Sequence, residues 1–381
     1  MKLRVHAAIR EIPRAAWDAL VGDGSPFLEW TWLDCLEEAG CVAADTGWLP
    51  QHLTLWEGER LVGACPLYVK AHSLGEFVFD QGWAAGAARA GIRYYPKLLV
   101  GVPFTPVGGA RLLAAAGHEA ARAALAEALE GLCAERFSSA HVTFCGPEEI
   151  ATLEARGWLR RTDHQYHWHN DGFRSFDDYL GSLRSKRRNQ ARREWREIAA
   201  QEVEITAHVG ADIPDALLGR MFDLYRATVD ALPWGRRYLN ARFFALLGAR
   251  FRERLCLVVA RRAGELIAGT VNVQKGDTLY GRYWGALRPL RHLHFNVCYY
   301  AAIAHCVARG LARFEPGAGG EFKHLRGFGA RETTSMHWIG DPRLRAAVGD
   351  FLERERAAVA DDLAALGAHS ALRRDRPPPE P

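Results

Sequence analysis

Apolar and polar positions alternate around a glycine-containing turn at two places in the chain. The first segment is QHLTLWEGERLVGACPLYVK, with Gly58 at the turn, and the second is LCLVVARRAGELIAGTVNVQ, with Gly264 in the corresponding place. This alternation is typical of a β-hairpin. Each segment is followed downstream by a helical pattern and then by a short strand pattern. We therefore interpret the chain as a weak internal repeat of two α/β halves.

A charged helical pattern connects the halves, RSFDDYLGSLRSKRRNQARREWREIAAQEVEI. Its best apolar stripe consists of Leu180, Leu183, Ala191, Trp195 and Ile198. Arg187 lies at the centre of that stripe, so we expect it to be buried, or to pair with a carboxylate or a ligand anion, because an unmatched charge there is costly. The other basic side chains are expected on solvated faces, partly paired with Glu194 and Glu197. They are Lys186, Arg192, Arg193 and Arg196.

Length and composition limit the class of protein. A chain of 381 residues exceeds the usual size of one hydrophobic core, which favours two domains. A net charge of +4 is too small for a dedicated nucleic-acid binder, and the eight cysteines form no CxxC pair, which predicts reduced thiols. The apolar runs are too short for a membrane span and the N-terminal residues too charged for a signal peptide. We therefore expect a cytoplasmic protein.

The segment from Leu279 to Trp338 contains the densest candidate chemistry. It begins with the strand TLYGRYWG, in which Tyr280, Arg282 and Trp284 are expected on one face. His294 follows at the start of a helix that ends before Gly310, and the loop PGAGGEFKHLRGF comes next. Four charged residues lie in or beside that loop, Glu315, Glu321, Lys323 and Arg326. Glycines allow close backbone approach to a ligand, although a solvated connection would have the same composition.

A second candidate site is the segment HSLGEFVFDQGWA with the positions that follow it. Its candidate binding residues are His72, Glu76, Lys97 and Thr105. Core packing explains this aromatic segment equally well. His167 and His169 share one strand face as a possible metal pair, but they lack a third ligand, so we expect no metal site.

Several familiar signatures are missing from the sequence. There is no GxSxG elbow, no Walker loop and no GxGxxG, so hydrolase, kinase and dinucleotide-binding functions lack support. The segment between Trp284 and Ile303 also lacks the glycine-rich phosphate loop with which ordinary GNAT acetyltransferases hold coenzyme A.

The strings SPFLEWTWLDCLEEAG, PLYVKAHSLGEFVFD, YYPKL, QYHWHN, LYGRYWG, LHFNVCYY, FEPGAGGEFK and SMHW resemble the FemAB-like predicted N-acyltransferases, bacterial proteins of the GNAT superfamily associated with peptidoglycan biosynthesis or recognition. The resemblance extends from about Ser25 to Glu355. It implies an α/β (mixed α+β) fold of two tandem GNAT-like domains, 1–165 and 166–365, with a cleft between them. Each would be a mixed sheet flanked by helices. The second would contain the central basic helix 176–200. Residues 366–381 end in RRDRPPPEP, a composition that cannot form a packed element, so we expect a disordered tail there.

Two departures from the family pattern fall in the segment with the candidate chemistry. Asn296 stands where the family typically has a carboxylate (LHFE), and Gly319 and Phe322 stand where it has glutamine and histidine (GAQGEHK). If a replaced group were the family's base, activity would be altered or lost.

The resemblance implies transfer of an acyl or aminoacyl group to a primary amine. Glu321 or Glu315 would be the base, with His294 as a further catalytic candidate, and Arg282, Lys323 and backbone amides near Gly320 would stabilise the anion. The remaining substrate-binding or donor-binding candidates are Trp284, Asn296, Arg326, Arg187, His72, Glu76, Lys97 and Thr105. The donor would be an acyl-CoA, an acyl carrier protein or an aminoacyl-tRNA, and no tightly bound cofactor is expected. The alternative is a non-catalytic protein that binds a cell-wall precursor or a partner in the same cleft.

Overall fold

The structure is a computed structural model and describes residues 1–233 and 235–373. The chain divides into two compact units. The first comprises Met1–His164 and Glu332–Asp361, and the second comprises Gln165–Arg331 and the residues from Asp362 onward. The predicted mixed α/β fold is confirmed, with helices and mixed sheets in both units. The cleft expected between them stays a prediction. Among the described residues, no helix is long and apolar enough to cross a membrane.

The strands are β1 (Lys2–His6), β2 (Trp48–Pro50), β3 (His52–Glu57), β4 (Arg60–Cys65), β5 (Leu67–Lys70), β6 (Lys97–Val100), β7 (Leu113–Ala114), β8 (Ser139–Val142), β9 (Leu159–His169), β10 (Val203–Val209), β11 (Leu255–Arg262), β12 (Glu265–Lys275), β13 (Thr278–Ala286), β14 (Arg313–Glu315) and β15 (Gly329–Ile339). In the first unit they form two sheets, with the orders β1-β3-β4-β7 and β15-β8-β6-β5-β2. In the second unit the order is β10-β11-β12-β13-β14-β9.

The α-helices are α1 (Arg14–Val21), α2 (Trp30–Glu38), α3 (Gln81–Arg89), α4 (Ala120–Glu135), α5 (Pro147–Ala155), α6 (Phe176–Ser182), α7 (Ser185–Ala199), α8 (Asp215–Asp230), α9 (Ala241–Arg250), α10 (Leu293–Phe295), α11 (Ala301–Ala308) and α12 (Pro342–Ala368). A π-helical turn, Asn296–Tyr300, joins α10 to α11, and a 3-10 helix, Glu321–Arg326, precedes β15. The helix predicted to end before Gly310 is therefore confirmed.

Both predicted hairpins are present, as β3–β4 and β11–β12. In each unit an earlier strand pairs antiparallel with the first strand of the hairpin, β1 with β3 and β10 with β11, and two α-helices separate the paired strands in the chain. Each hairpin also has a register shift two residue pairs from its turn, after Leu55 and after Ala260. The common order supports the interpretation as a repeat. Superposition of the halves stays a prediction.

The observed boundary between His164 and Gln165 lies one residue from the predicted division, but the first unit also includes Glu332–Asp361, which the prediction assigned to the second half. His169 at the end of β9 pairs with Arg313 of β14 in the second unit. Met336 to Ile339 of β15 pair with Val142 to Ser139 of β8, which places Glu332–Asp361 in the first unit. Pairing between segments so far apart in the chain leaves no sign in local hydrophobic periodicity.

The end of the chain is packed as far as it is described, which corrects the prediction of a disordered tail from residue 366. Helix α12 extends to Ala368, Ala371 is buried, and Leu372 forms a β-bridge with Leu183. Apolar contacts therefore order the segment up to 373. The predicted disorder of 374–381 lies outside the described residues.

Candidate functional site

The parallel strands β13 and β14 separate after a short paired stretch. Thr278 to Tyr280 pair with Arg313 to Glu315, and β13 continues beyond that ladder to Ala286, with Pro316 and Gly317 still close to Gly281. After β14 the backbone leaves the sheet as the loop Pro316–Gly320. Separated strands leave an opening bordered by backbone groups that take no part in a ladder. This opening is the candidate site.

Lys323 fixes the glycine-rich loop beside the opening. Its buried Nζ donates hydrogen bonds to the carbonyl oxygens of Gly317 at 2.6 Å and Ala318 at 3.2 Å. Gly320 has a φ of +84°, and a Cβ there would lie 3.1 Å from the Phe322 ring and 3.3 Å from Lys323 Cε. The position therefore requires glycine. Burial lowers the pKa of Lys323 to about 8, so part of the amine is neutral near physiological pH.

Strand β14 ends at Glu315, whose side chain is buried. Glu315 Oε1 lies 3.1 Å from Arg313 Nε, and Oε2 lies 3.9 Å from His167 Nε2. Oε2 accepts no hydrogen bond from the residues that the structure describes. Burial raises the pKa of Glu315 to about 7, although the Arg313 charge opposes the rise. A carboxyl group with this pKa can accept a proton near neutral pH.

Three adjacent strands, β13, β14 and β9, present one apolar face and one polar face. Leu279, Phe314 and Trp168 are in register on the apolar face and belong to the core. Side chains alternate along a strand, so the neighbouring residues lie on the opposite face. We call this opposite side the polar face. It consists of Tyr280, Arg313, Glu315, His167 and His169, with Glu315 in register with Tyr280 and Arg313 in register with His169.

His294 lies among aromatic rings. Its ring centroid is 5.1 Å from that of Trp284, 5.4 Å from that of Tyr299 and 6.0 Å from that of Phe322. Burial, together with the charges of Arg326 and Lys323, lowers the pKa of His294 to about 4. The imidazole is therefore neutral near pH 7. His294 therefore lies near three other candidate residues, Trp284, Lys323 and Arg326.

Glu194, which the sequence analysis placed on a solvated face, is buried. Arg326 donates to both of its carboxylate oxygens, at 3.0 and 2.8 Å, while the Tyr300 hydroxyl donates at 2.6 Å and Gln190 Nε2 at 2.9 Å. Burial acts to raise the pKa of Glu194, but these hydrogen bonds and the Arg326 charge hold it below its ordinary value. The Arg326 guanidinium also lies 3.5 Å from the centroid of the Phe295 ring. Arg326 is thus held from two sides.

The two departures from the family pattern have different surroundings. Asn296 is fully buried, and its Nδ2 donates to the carbonyl oxygens of Glu194 at 3.1 Å and His292 at 2.9 Å. Asn296 therefore connects the π-helical turn to α7. Phe322 is 39% exposed and packs on Phe295, with ring centroids 5.6 Å apart.

The central helix differs from its prediction because it is two helices, α6 and α7, that are interrupted at Leu183–Arg184. The interruption changes the helical phase, and Trp195 of the predicted apolar stripe is 37% exposed. Arg187 is half-buried, and its NH1 donates to Gln190 Oε1 at 3.1 Å. No ion pair of Arg187 with a carboxylate occurs in the described part of the chain. The buried charge of this helix is Glu194.

Two further predicted residues lie at the edge of the site. Glu321 is exposed at the first position of the 3-10 helix, so solvent surrounds its carboxylate. Arg282 is half-buried, with its guanidinium 5.4 Å from the Tyr283 ring, and burial lowers its pKa. A register shift between β12 and β13 interrupts the alternation, so the expected common face of Tyr280, Arg282 and Trp284 is not formed.

The first unit brings together two of its four candidates. Lys97 is fully buried, and its Nζ donates to Ser73 Oγ at 2.8 Å, to Glu76 at 2.7 Å and also to Asp80. Burial acts to lower the pKa of Lys97, but the two carboxylates raise it above its ordinary value. Burial raises the pKa of Glu76 to about 7, against the attraction of Lys97. The sequence analysis paired Lys97 with the correct segment but did not predict that the cluster is buried.

The other two candidates of the first unit have separate local partners. His72 Nδ1 accepts a hydrogen bond from the Leu74 N–H at 3.2 Å, and a side chain at Gly47 would collide with the imidazole. Thr105 is buried and donates to the carbonyl oxygen of Pro103 at 3.0 Å. Each of these hydrogen bonds joins residues two positions apart in the chain, so each stabilises the local backbone. Among the described residues, no group of three or more histidine, cysteine, aspartate or glutamate side chains could hold a metal ion.

Solved structures with the same fold include FemX, at 12% identity and a TM-score of 0.56, covering 92% of this chain and 100% of that one. L-PGS from Bacillus licheniformis matches at 8% identity and a TM-score of 0.53, covering 88% and 96%. The C-terminal domain of a putative lysylphosphatidylglycerol synthetase from Agrobacterium fabrum matches at 9% identity and a TM-score of 0.55, covering 89% and 95%. At these identities the matches show the fold.

The sequence itself matches one family across residues 8–374, the FemAB-like family, described as peptidoglycan biosynthesis/recognition. No curated protein matches the sequence.

Proposed function

The chain belongs to the FemAB-like family, and from that membership and the geometry of its second unit we propose that it is an N-acyltransferase. It would transfer an acyl or aminoacyl group from an activated donor to a primary amine. The observation that carries the proposal is the position of Glu315, a buried carboxyl with a raised pKa, at the point where β13 and β14 separate. Such a pKa suits a general base near neutral pH.

The separated strands provide the space for the donor. Strand β13 extends beyond its ladder with β14, and backbone N–H groups beside the end of that ladder would donate to the donor's carbonyl oxygen. These donors would stabilise the negative charge that develops on that oxygen. Lys323 would support them by holding Gly317 and Ala318 in place. Backbone and lysine groups together would form the anion side of the site.

The reaction needs no nucleophile from the protein, because the donor is already activated. The amine nitrogen attacks the carbonyl carbon and forms a C–N bond, and the amine's proton passes to the Glu315 carboxylate. The C–S or C–O bond of the donor then breaks, and the leaving group departs with the bonding electrons. The preference for Glu315 over Glu321 follows from burial, since burial raises the pKa of Glu315, whereas Glu321 is exposed to solvent.

The departure at Asn296 does not remove a group from this opening, because Asn296 is fully buried and bonded to backbone carbonyls. The non-catalytic alternative therefore loses one of its two supports. Phe322 still replaces a histidine beside His294, and His294 supplies a neutral imidazole at the same place.

The test compares Glu315→Gln with Glu265→Gln, an exposed carboxylate of the same unit that pairs with Arg288. Mass spectrometry would follow mass gain on a panel of amines with acyl-CoA thioesters and aminoacyl-tRNAs as donors. We expect Glu315→Gln to lose on the order of a hundredfold or more in rate and Glu265→Gln to match wild type. Equal rates for all three proteins, or ligand binding without turnover by wild type, would reject the proposal.

A further inference from the structure

The polar face has hydrogen-bonding capacity that the described protein does not use. Glu315 Oε2, His167 Nε2 and His169 Nε2 are inaccessible to solvent, yet none has a hydrogen-bond partner among the described residues. Native proteins rarely leave several neighbouring buried polar atoms unsatisfied. Glu315 is more than nine-tenths buried and is the innermost of the three residues. This concentration of unsatisfied groups indicates a ligand-binding surface.

The charges on the polar face indicate which class of ligand could bind there. Arg313 is cationic and 41% exposed, and it lies two residues before Glu315 on the same side of β14. His167 and His169 are neutral near pH 7, because burial lowers both of their pKa values, with a further contribution from Arg313 and Arg331. The face therefore offers one buried hydrogen-bond acceptor, Glu315, next to one accessible cation, Arg313.

The spacing between these two groups is short. Residues two apart on a strand have Cα atoms about 7 Å apart and side chains that point the same way. A ligand with an amine and a carboxylate on adjacent carbon atoms can therefore place the amine at Glu315 and the carboxylate at Arg313. An arginine binds a carboxylate through two parallel hydrogen bonds, which a neutral amide cannot reproduce.

We propose that the polar face is the acceptor subsite and that it selects an amine acceptor with a carboxylate beside the amine, such as an α-amino acid. Glu315 receives the amine and Arg313 receives the carboxylate, with His169 beside Arg313 as a further hydrogen-bonding group. The inference rests on the proposed transferase function and specifies its acceptor. The donor does not belong to this class of compound. Its acyl carbon is bonded to the leaving group, so it offers Arg313 no free carboxylate at that position.

The test measures binding without turnover, so that it is independent of the transfer reaction. Saturation-transfer NMR on the full chain would use a panel of α-amino acids and their α-amides as probes, followed by titration of the tightest acid and its amide. The variants are Arg313→Ala, Arg313→Lys and, as a matched control, Arg309→Ala, an exposed arginine four residues earlier. Circular dichroism would confirm that each variant is folded.

We expect wild type and Arg309→Ala to bind the acid at least about tenfold more tightly than its amide, as a charge-assisted hydrogen bond typically gives. Arg313→Ala should reduce the acid to the affinity of the amide and leave the amide unchanged, and Arg313→Lys should lie between. If no acid in the panel binds, if acid and amide bind equally to wild type, or if Arg313→Ala retains the preference, the inference is overturned. Loss of transfer in Glu315→Gln alongside any of those results would leave the transferase proposal standing.

Discussion

The buried pair Glu194–Arg326 should contribute strongly to the stability of the second unit. Replacing Glu194 with alanine removes the acceptor for Arg326 NH2, the Tyr300 hydroxyl and Gln190 Nε2 together. Arg326 then retains one hydrogen bond to a backbone oxygen, that of Phe322 at 2.9 Å, with most of its guanidinium charge inside the protein. The methyl side chain of alanine has no acceptor and can form none of those hydrogen bonds.

The magnitude follows from burial. The side chains of Glu194 and Arg326 are 2% and 3% exposed, and removal of one partner from a buried pair typically costs about 3–5 kcal/mol. Arg326→Met should lower the free energy of unfolding by somewhat more than loss of the charge alone, because it also removes the contact of the guanidinium with the Phe295 ring. That contact is worth about 0.5–2 kcal/mol. In the double variant no unpaired charge remains, so the two costs should be less than additive by about 0.5–3 kcal/mol.

Urea unfolding followed by circular dichroism would give the overall stability, and hydrogen exchange of peptides from α10–α11 and the 3-10 helix would locate the loss in the second unit. Glu265→Ala is the matched control, since Glu265 and its partner Arg288 are about two-thirds exposed and such surface pairs contribute little. If Glu194→Ala changed stability no more than Glu265→Ala, or if the double variant equalled the sum of the single variants, the assigned importance of this pair would be wrong.

Three further outcomes are expected. The transfer rate should rise with pH through about 7, because Glu315 acts as a base only when ionised and burial raises its pKa to about that value; a rate independent of pH between 6 and 8 would contradict this. Gly285→Ala should prevent stable folding or lower the melting temperature sharply, because its Cβ would lie 1.9 Å from the Leu224 carbonyl oxygen. In Gly264→Ala the Cβ would meet no atom within 4 Å, so only the positive φ should lower the free energy of unfolding, by about 1 kcal/mol. Lys97→Met should destabilise the first unit by about 3–5 kcal/mol, because it leaves Asp80 without its cation and Glu76 with only the more distant Lys70, at 3.9 Å; an unchanged thermal unfolding curve would refute that.

Local patterns predicted the elements whose cause is local. The hairpins around Gly58 and Gly264 and the helix before Gly310 were identified because periodicity and turn residues act within a few positions. Glu321 was preferred equally with Glu315 because the sequence does not reveal which carboxylate is buried.

The errors arose where long-range pairing decides the outcome. Glu194 was assigned to solvent because its partner Arg326 is distant in the chain, and no helical periodicity shows such a pair. His167 was considered only as a metal ligand, since its position next to Glu315 depends on the pairing of β9 with β14. The sequence signal that was available is the alternation of polar residues in QYHWHN and in RFE, which marks both segments as strands with one polar face.

The two units use the same kind of parallel strand pair in different ways. In the first unit β6 and β8 are paired in parallel, and the ladder continues one residue past the end of β8 through the hydrogen bond from the Thr143 N–H to the Val100 carbonyl oxygen at 3.0 Å. The fully buried Arg111 then donates from Nε to the Thr143 carbonyl oxygen at 3.0 Å and occupies the space beside the strand ends. In the second unit the β13–β14 ladder ends at Tyr280 and Glu315, and the glycine-rich loop then passes Gly281 and leaves the sheet. A donor that needs strand-edge N–H groups would meet a closed ladder at β6–β8 and an open one at β13–β14, which is why the proposed chemistry belongs to the second unit.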